Sequence, residues 1–321
     1  MPQFFDIFPT VLIQYQSETL PALAEIHRLF AQCGSGIPPL SQTHWESMFA
    51  HPAVDPQNDI FILADTEQPS SKLGIKGFSW LYTQPAPSYA YIRGPYAQPG
   101  EPGTLEIVKT LINHNVNRGR ELGIGFVEGR SMYGEWVEAF TELGFQRMGA
   151  YERFRLFPLK GTVQIYPPPP DGGLVRTWRG LDDLPHLMDI FRAAFESHWD
   201  YRAPVRSDWI EILNTGGQSK NIISVGEMNG RIIGYSFGQR MQELSEGPFD
   251  SSYLASIGVH PEFRRMGWGK VLLGHWLRLC YDAGIRSVEL DVDENNEAAI
   301  GLYKVFGFKL VRNDEVWRKY L

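Results

Sequence analysis

Two stretches in the second half of the chain combine residue types that could do chemistry. The first is Ile257-Gly-Val-His-Pro-Glu-Phe-Arg-Arg-Met-Gly-Trp-Gly-Lys270, where Arg264, Gly267 and Gly269 spell R-x-x-G-x-G between a predicted strand and a predicted helix. Glycines at such a junction let the backbone approach a ligand closely. The free N–H groups of the first helical turn then face an anion, aided by the helix dipole. A phosphate or pyrophosphate suits such a loop. It is not a Walker loop, because Gly269-Lys270 runs into Val271 and the G-x-x-x-x-G-K-[ST] spacing is absent. Nor is it the dinucleotide fingerprint, which needs G-x-G-x-x-G. Taken alone, the same glycines also suit an ordinary helix start beside a solvated arginine.

The second stretch begins about 20 residues after the glycine loop and runs Leu290-Asp-Val-Asp-Glu-Asn-Asn296-Glu-Ala-Ala-Ile-Gly-Leu-Tyr303, closing on Gly307-Phe308. Alternation over Arg286–Val292 places Val288, Leu290 and Val292 on one strand face and Glu289, Asp291 and Asp293 on the other. Carboxylates grouped in this way can move protons, and three acids on one strand face are equally what a solvated surface presents. Asn296 stands where a helix N-cap would stand.

These residues need elements to position them. Leu174–Trp178 reads as a strand, Leu181–Glu196 as an amphipathic helix and Arg206–Leu213 as a second helix. Asn221–Glu227 and Arg231–Arg240 form a hairpin around Met228-Asn-Gly230, where Asn-Gly supplies the turn. Ser252–Val259 is a strand, Gly267–Ala283 a helix, and Glu297–Phe306 another helix before a final pair of strands. Strands and helices alternate only in the middle of this order. The pattern predicts an α/β protein of the α+β kind, with a mixed sheet rather than a doubly wound one.

The chain divides at Leu159–Gly173, LKGTVQIYPPPPDGG, whose four consecutive prolines favour extended polyproline II. This predicts two domains, 1–160 and 174–321, joined by a proline-rich linker at 161–173. The halves resemble each other. Leu20-Pro-Ala-Leu23 and Leu184-Pro-His-Leu187 follow short apolar strands near each start, and Gly144-Phe145 and Gly307-Phe308 lie near each end. The spacings are 164 and 163 residues, so two copies of one domain are expected.

Composition narrows the function. Of 321 residues, 30 are Lys or Arg and 37 are Asp or Glu, a net charge of −7, which argues against a nucleic-acid partner. No apolar run approaches the roughly 20 residues a bilayer requires, so no membrane association is expected. The opening Met1–Asp6 lacks the basic flank and apolar stretch of a secretory signal. Cys33 and Cys280 are far apart and outside any C-x-x-C, which excludes a disulfide framework and a cysteine zinc site. Cys280 falls at helical spacing among Val271, Leu272, Trp276 and Leu279, as a small core residue would. The histidines show no metal-ligand grouping, so no metal is expected. A cytoplasmic location follows from these absences.

Together the two stretches resemble the GCN5-related N-acetyltransferase (GNAT) superfamily. V-x-P-x-x-R-x-x-G-x-G occupies Val259–Gly269, and L-x-V-x-x-x-N-x-x-A-x-x-L-Y-x-x-x-G-F occupies Leu290–Phe308. The resemblance implies that backbone amides of Arg264, Arg265, Met266, Gly267, Trp268, Gly269 and Lys270 hold the pyrophosphate of acetyl-CoA as cosubstrate. It implies that Ile257 and Val259 bind the pantetheine arm, with the Val259 N–H as oxyanion donor, and that Asn296 binds the arm from the other side. It further implies Tyr303 as general acid toward the departing thiolate, a role a phenol can fill. Packing on the sheet is the alternative role for that ring. Asp291 stands 12 residues before Tyr303, where relatives such as the ribosomal-protein alanine acetyltransferases look to carry a catalytic glutamate, with Glu289 in reserve. His198-Trp199 is similar to a pair found in tandem acetyltransferases, although a capping His beside a packed Trp explains it as well.

The first half keeps the element order, with Tyr89–Tyr96 as central strand and Leu105–Leu122 as the following helix. Between them, Gln98-Pro-Gly-Glu-Pro-Gly103 lacks the phosphate loop: aligning Gly103 with Gly269 sets Glu101 opposite Gly267. A carboxylate there repels a pyrophosphate. A degenerate GNAT-like first domain and a catalytic second one are expected, an architecture that resembles mycothiol synthase. The implied function is acetyl-CoA-dependent N-acetyltransfer to a primary amine by direct attack on the thioester. The acceptor would be a small-molecule amine, a peptide N-terminus or a lysine, shaped in part by a loop at Leu244–Asp250, and the protein a monomer or homodimer. The alternatives are a catalytically silent CoA-binding sensor or scaffold, and a GNAT-fold enzyme with other acyl-CoA chemistry.

Overall fold

The computed structural model describes residues 10–35, 40–51, 54–66, 74–83, 88–131, 133–160, 167–214, 221–241 and 251–321. The expected acceptor loop at Leu244–Asp250 and the first part of the linker, 161–166, lie outside the described residues. Two compact units emerge. Among the described residues, the first is built from 10–151 and 312–321, the second from 152–241 and 251–311.

In the first unit, β1 (Thr10–Ile13), β2 (Ile60–Asp65), β3 (Ile75–Thr83) and β4 (Tyr89–Ala97) pair antiparallel in sequence order. β5 (Phe126–Ser131) pairs parallel with β4. The chain's last strand then lies antiparallel against β5, from Glu315↔Ser131 to Tyr320↔Phe126. The helices are α1 (Leu20–Phe30), α2 (Gln42–Phe49), α3 (Pro56–Asp59), α4 (Thr104–Glu121) and α5 (Gly134–Glu142). Asp55 caps the short α3 through its side chain. One part of the core is aromatic: Trp45 packs edge-on to Phe78 and Trp80, while Phe30, Phe49 and Tyr96 close around it.

β6 (Gln146–Leu156) enters the second unit from Glu152 onward. There follow β7 (Gly173–Thr177), α6 (Leu184–Phe195), α7 (Arg206–Asn214), β8 (Asn221–Met228), β9 (Arg231–Met241) and β10 (Ser251–Val259). α8 (Trp268–Asp282), β11 (Ser287–Asp293), α9 (Glu297–Val305) and β12 (Lys309–Tyr320) complete the order. β7 through β10 pair antiparallel, and β11 pairs parallel with β10. Period-two alternation sorts β9 between two helical layers. A Cβ at Gly234 or Gly238 would meet Leu272 or Trp276 of α8, whereas Tyr235 and Phe237 pack with Leu187, Ile190 and Trp209 of α6 and α7. Trp276 and Leu277 are fully buried, as is Cys280, whose thiol is pushed up by burial and stays protonated.

One expectation is corrected. The runs after Gly144-Phe145 and Gly307-Phe308 read as pairs of short strands, yet each is one strand, of 11 and 12 residues. The second run holds no Gly or Pro, and Gly149 of the first lies within the strand without making a turn. In β12, Asp314 is buried and held by Arg312 two residues away on the same face, Nε to Oδ1 at 2.7 Å, so the charge does not break the strand.

Candidate active site

The site lies in the second unit where β10 and β11 part. Their parallel pairing runs from Ser251↔Ser287 to Leu254↔Leu290 and ends there. At the same point the β9 ladder shifts register between Leu254 and Ser256, a bulge that bends β10 away. The His260 N–H goes back to the Ile233 carbonyl of β9 at 2.8 Å. Since alternate residues of an antiparallel strand aim their backbone groups to the same side, Ile257 and Val259 aim theirs away from β9, into the gap. A gap lined with unpaired strand amides can accept an amide-bearing chain such as pantetheine.

At the mouth of the gap is the glycine loop. Gly267 caps α8 with φ 89°, and a Cβ placed on it would meet nothing within 4 Å. Arg265 also holds positive φ, at 62°, which folds the loop back before the helix begins. Lys270 and Val271 donate their N–H groups to the Gly267 carbonyl, leaving the amides of Trp268 and Gly269 as orphans of the first turn. Trp268 therefore contributes its backbone alone, because its ring is buried against Ile233 and Val271. Arg264 is committed elsewhere: its Nε donates to the Val259 carbonyl at 3.3 Å and Nη2 to the Ala194 carbonyl at 3.1 Å. Arg265 and Lys270 are exposed and have no charged partner among the described residues, so both can meet phosphate. Met266 is exposed beside them.

α9 forms the other wall. The loop and α9 are close enough that a Cβ on Gly269 would lie 3.4 Å from Leu302. Asn296 is the N-cap of α9, its Oδ1 accepting the Ala299 N–H at 3.1 Å. The capping role thus holds, and it leaves the exposed Nδ2 as a donor. The Tyr303 ring is buried beside Phe154 and Phe308. Burial pushes its phenol well above the usual range, and no described residue makes a hydrogen bond to its hydroxyl.

The acidic face of β11 carries partners that sequence reasoning missed. Arg153 of β6 binds both oxygens of Asp291, and Tyr253 donates to Oδ2 at 3.1 Å. Burial opposes the Arg153 charge, but the hydrogen bonds and charge of Asp291 outweigh it and raise its pKa. Arg155 donates to Glu289 at 2.7 Å. The signal was the R-x-R alternation of Arg153 and Arg155, which matches the E-x-D alternation of Glu289 and Asp291. Asp293 is buried and its Oδ2 lies 2.8 Å from both His198 Nε2 and Trp199 Nε1. Because His198 Nδ1 accepts the Asp200 N–H at 3.0 Å, Nε2 carries the proton given to Asp293. Asp293 thereby ties the segment after α6 to the end of β11, and its carbonyl accepts the Asn296 N–H at 2.9 Å.

The first unit repeats this frame with different groups at the loop and in the strand gap, although a Cβ on Gly103 would also meet nothing within 4 Å. Gly103 caps α4 with φ 85°, so it corresponds to Gly267 rather than to Gly269, and Gly100 and Glu101 fall opposite Arg264 and Arg265. The Glu135 carboxylate accepts the Gly100 N–H at 3.0 Å, an anion supplied by the chain itself. Ile92↔Gly129 is the last pair of β4 and β5, which puts Pro95 at the place of Ile257. Pro95 has no N–H, and its carbonyl accepts from the buried Trp136 Nε1 at 3.0 Å. Phe140 precedes Gly144 by four residues, as Tyr303 precedes Gly307, so the phenol position has no hydroxyl.

Among the described residues there is no group of three or more His, Cys, Asp or Glu that could hold a metal, and no helix is long and apolar enough to cross a membrane. A splayed pair of parallel strands beside a glycine-capped helix recurs in both units. The comparisons make this specific. Residues 184–308 match the Acetyltransferase (GNAT) family model. Mycothiol acetyltransferase from Thermomonospora curvata is 29% identical over 147 residues, 43% of this chain and 45% of that protein. The Thermobifida fusca mycothiol acetyltransferase is 30% identical over 197 residues, 54% of this chain and 58% of that protein. The alignments thus span about half the length of these two relatives. A tandem GNAT protein from the clavulanic acid biosynthesis pathway superposes with TM-score 0.72 at 16% identity, over 97% of this chain and 98% of its own. Residues 184–308 are thus similar to the GNAT acetyltransferases, and the fold of the chain is that of a tandem GNAT protein.

Proposed function

We propose that this protein transfers an acetyl group from acetyl-CoA to a primary amine, at the second unit alone. The observation that carries the reading is the open Gly267 cradle, with free first-turn amides and unpaired Arg265 and Lys270, set beside the parted strands. These residues fit acetyl-CoA, which supplies an activated acyl group as its thioester. The amides of Trp268 and Gly269, with Arg265 and Lys270, hold the pyrophosphate. Ile257, Val259 and Asn296 hold the arm. The Val259 N–H donates to the oxygen on which negative charge develops as the amine nitrogen bonds to the carbonyl carbon. Tyr303 keeps its proton at neutral pH because burial raises its pKa, and it gives that proton to the sulfur as the C–S bond breaks.

Asp291 receives the amine proton through a bridging water. Its oxygens are held by Arg153 and Tyr253, which fixes the carboxylate where its charge steadies the departing ammonium proton. Glu289, held by Arg155, is the reserve. The acceptor is a small-molecule amine or a peptide amino group, and the names of the mycothiol acetyltransferase relatives favour the small molecule. We place the reaction in the cytoplasm, in a monomer or homodimer. The first unit serves as a structural partner, because Glu135 sets a carboxylate on the Gly100 amide of its loop and Pro95 and Trp136 occupy its strand gap. A screen of amines with [14C]acetyl-CoA tests the reading: acetylation that Tyr303→Phe slows supports it, whereas acetyl-CoA binding without transfer to any amine favours the sensor alternative.

A further inference from the structure

The first unit carries a feature that its relation to acetyl-CoA leaves unexplained. Arg93 is the residue after Ile92, where β4 leaves β5 and where the β3 ladder shifts register between Phe78 and Trp80. The same place in the second unit holds Ala255. A long cation thus stands at the strand bulge where the homologous domain has a methyl group.

Its surroundings are aromatic and cationic. The Arg93 guanidinium lies over the rings of Tyr82 and Tyr91, at 5.4 and 5.5 Å from their centroids. Tyr82 and Tyr91 face each other across β3 and β4, so together they form one wall. Burial disfavours the Arg93 charge, and the like charge of Arg130 disfavours it further. Arg130 itself sits over Tyr151 at 5.0 Å. Nearby acids are bound elsewhere: Arg318 holds Glu128 at 2.8 Å, and Arg312 holds Asp314, which Arg130 approaches only to 3.7 Å. Arg93 has no hydrogen bond or ion pair among the described residues; its guanidinium is crowded by its neighbours while part of the side chain reaches solvent. With the tyrosine rings on one side, the guanidinium edge carries parallel N–H donors matched to two oxygens of one anion.

We propose that Arg93 is the centre of an oxyanion-binding site in the first unit, which takes a carboxylate or phosphate group of a small ligand against the Tyr82–Tyr91 wall. A carboxylate ligand with a flat apolar body would gain from the rings, whereas a phosphate would gain from Arg130. The site is independent of the acetyl-CoA slot.

The test uses the full chain labelled with 15N and follows the arginine Nε signals. The signal missing from the R93Q spectrum identifies Arg93. Benzoate and inorganic phosphate are titrated separately at constant ionic strength. A saturable shift of the Arg93 signal with either probe supports the site, and the probe that binds tighter names the ligand class. R93Q should weaken that binding by about tenfold or more, read from probe-side saturation-transfer signals. R93K, which keeps the charge but loses the planar fork, should weaken it by a smaller factor. No saturable shift with either probe, or unchanged probe affinity in a folded R93Q, overturns the proposal.

Discussion

Arg153 grips both carboxylate oxygens of Asp291, Nε to Oδ1 at 2.7 Å and Nη2 to Oδ2 at 2.8 Å, although the two residues stand 138 positions apart. Both side chains are largely buried, at 18% and 8% exposure, so the pair is desolvated and each partner depends on the other. Removing one side of such a pair strands a buried charge, which costs about 3 kcal/mol. Arg153→Met should lower unfolding stability by about that amount in urea titrations. A change below about 1 kcal/mol would show that Asp291 does not need its partner.

Tyr303 separates chemistry from packing. Its hydroxyl makes no hydrogen bond to a described residue, so Tyr303→Phe should leave stability nearly unchanged and acetyl-CoA affinity intact. The turnover number should fall about 100-fold through loss of the acid. Because burial raises the phenol pKa above its ordinary value of about 10, no alkaline loss of turnover from Tyr303 is expected between pH 7 and about 9. Asp291→Asn should slow turnover less than Tyr303→Phe, since the amine proton reaches that carboxylate only through a bridging water. The reverse order would move the decisive proton transfer to Asp291.

His27 makes the first unit acid-sensitive. It is fully buried between Trp45 and Tyr96, with neither nitrogen bonded among the described residues, and burial with the charge of His44 lowers its pKa to about 4. The unfolded chain takes up the proton below about pH 6.5, whereas the folded chain resists until about 4, so stability is full above that window and falls as pH drops through it. The loss approaches ~3 kcal/mol. His27→Phe, which copies Phe191 at the matching place of the second half, should remove this part of the slope between pH 7 and 4.5 in urea midpoints. Equal slopes would assign the acid sensitivity to other groups.

Asp293 is expected to act on the acceptor side. Asp293→Ala frees His198 and Trp199, which it holds at 2.8 Å each, and should raise the KM for the amine while sparing acetyl-CoA affinity. Trp199 fluorescence should shift in parallel, since its Nε1 partner is lost. An unchanged amine KM would confine Asp293 to structural work.

Local patterns carried most of the fold. R-x-x-G-x-G marked the helix start that Gly267 caps, and the alternation around Leu290 put Asp291 and Glu289 on one face. Tertiary pairing was not legible. Nothing adjacent to Asp291 announces Arg153, which arrives from another strand, so of the three acids on that face Glu289 and Asp291 meet arginines and Asp293 meets His198 and Trp199. Aligning Gly103 with Gly269 also misplaced it by two positions, because the cap is the glycine that holds positive φ at the helix start, as Gly267 does. The bonds of Glu135 and Trp136 in the first unit are contacts across 35 and 41 positions, which spacing alone does not encode.

Calorimetric titration of the full chain with acetyl-CoA, beside Gly267→Glu, tests the central claim most directly. The glutamate would project into space that is open around Gly267 and set a carboxylate against the pyrophosphate. One site that disappears in the folded variant is the predicted result. Two sites, or one that survives the substitution, would contradict the assignment of acetyl-CoA to the second unit alone, and no binding would remove the acetyltransferase reading itself.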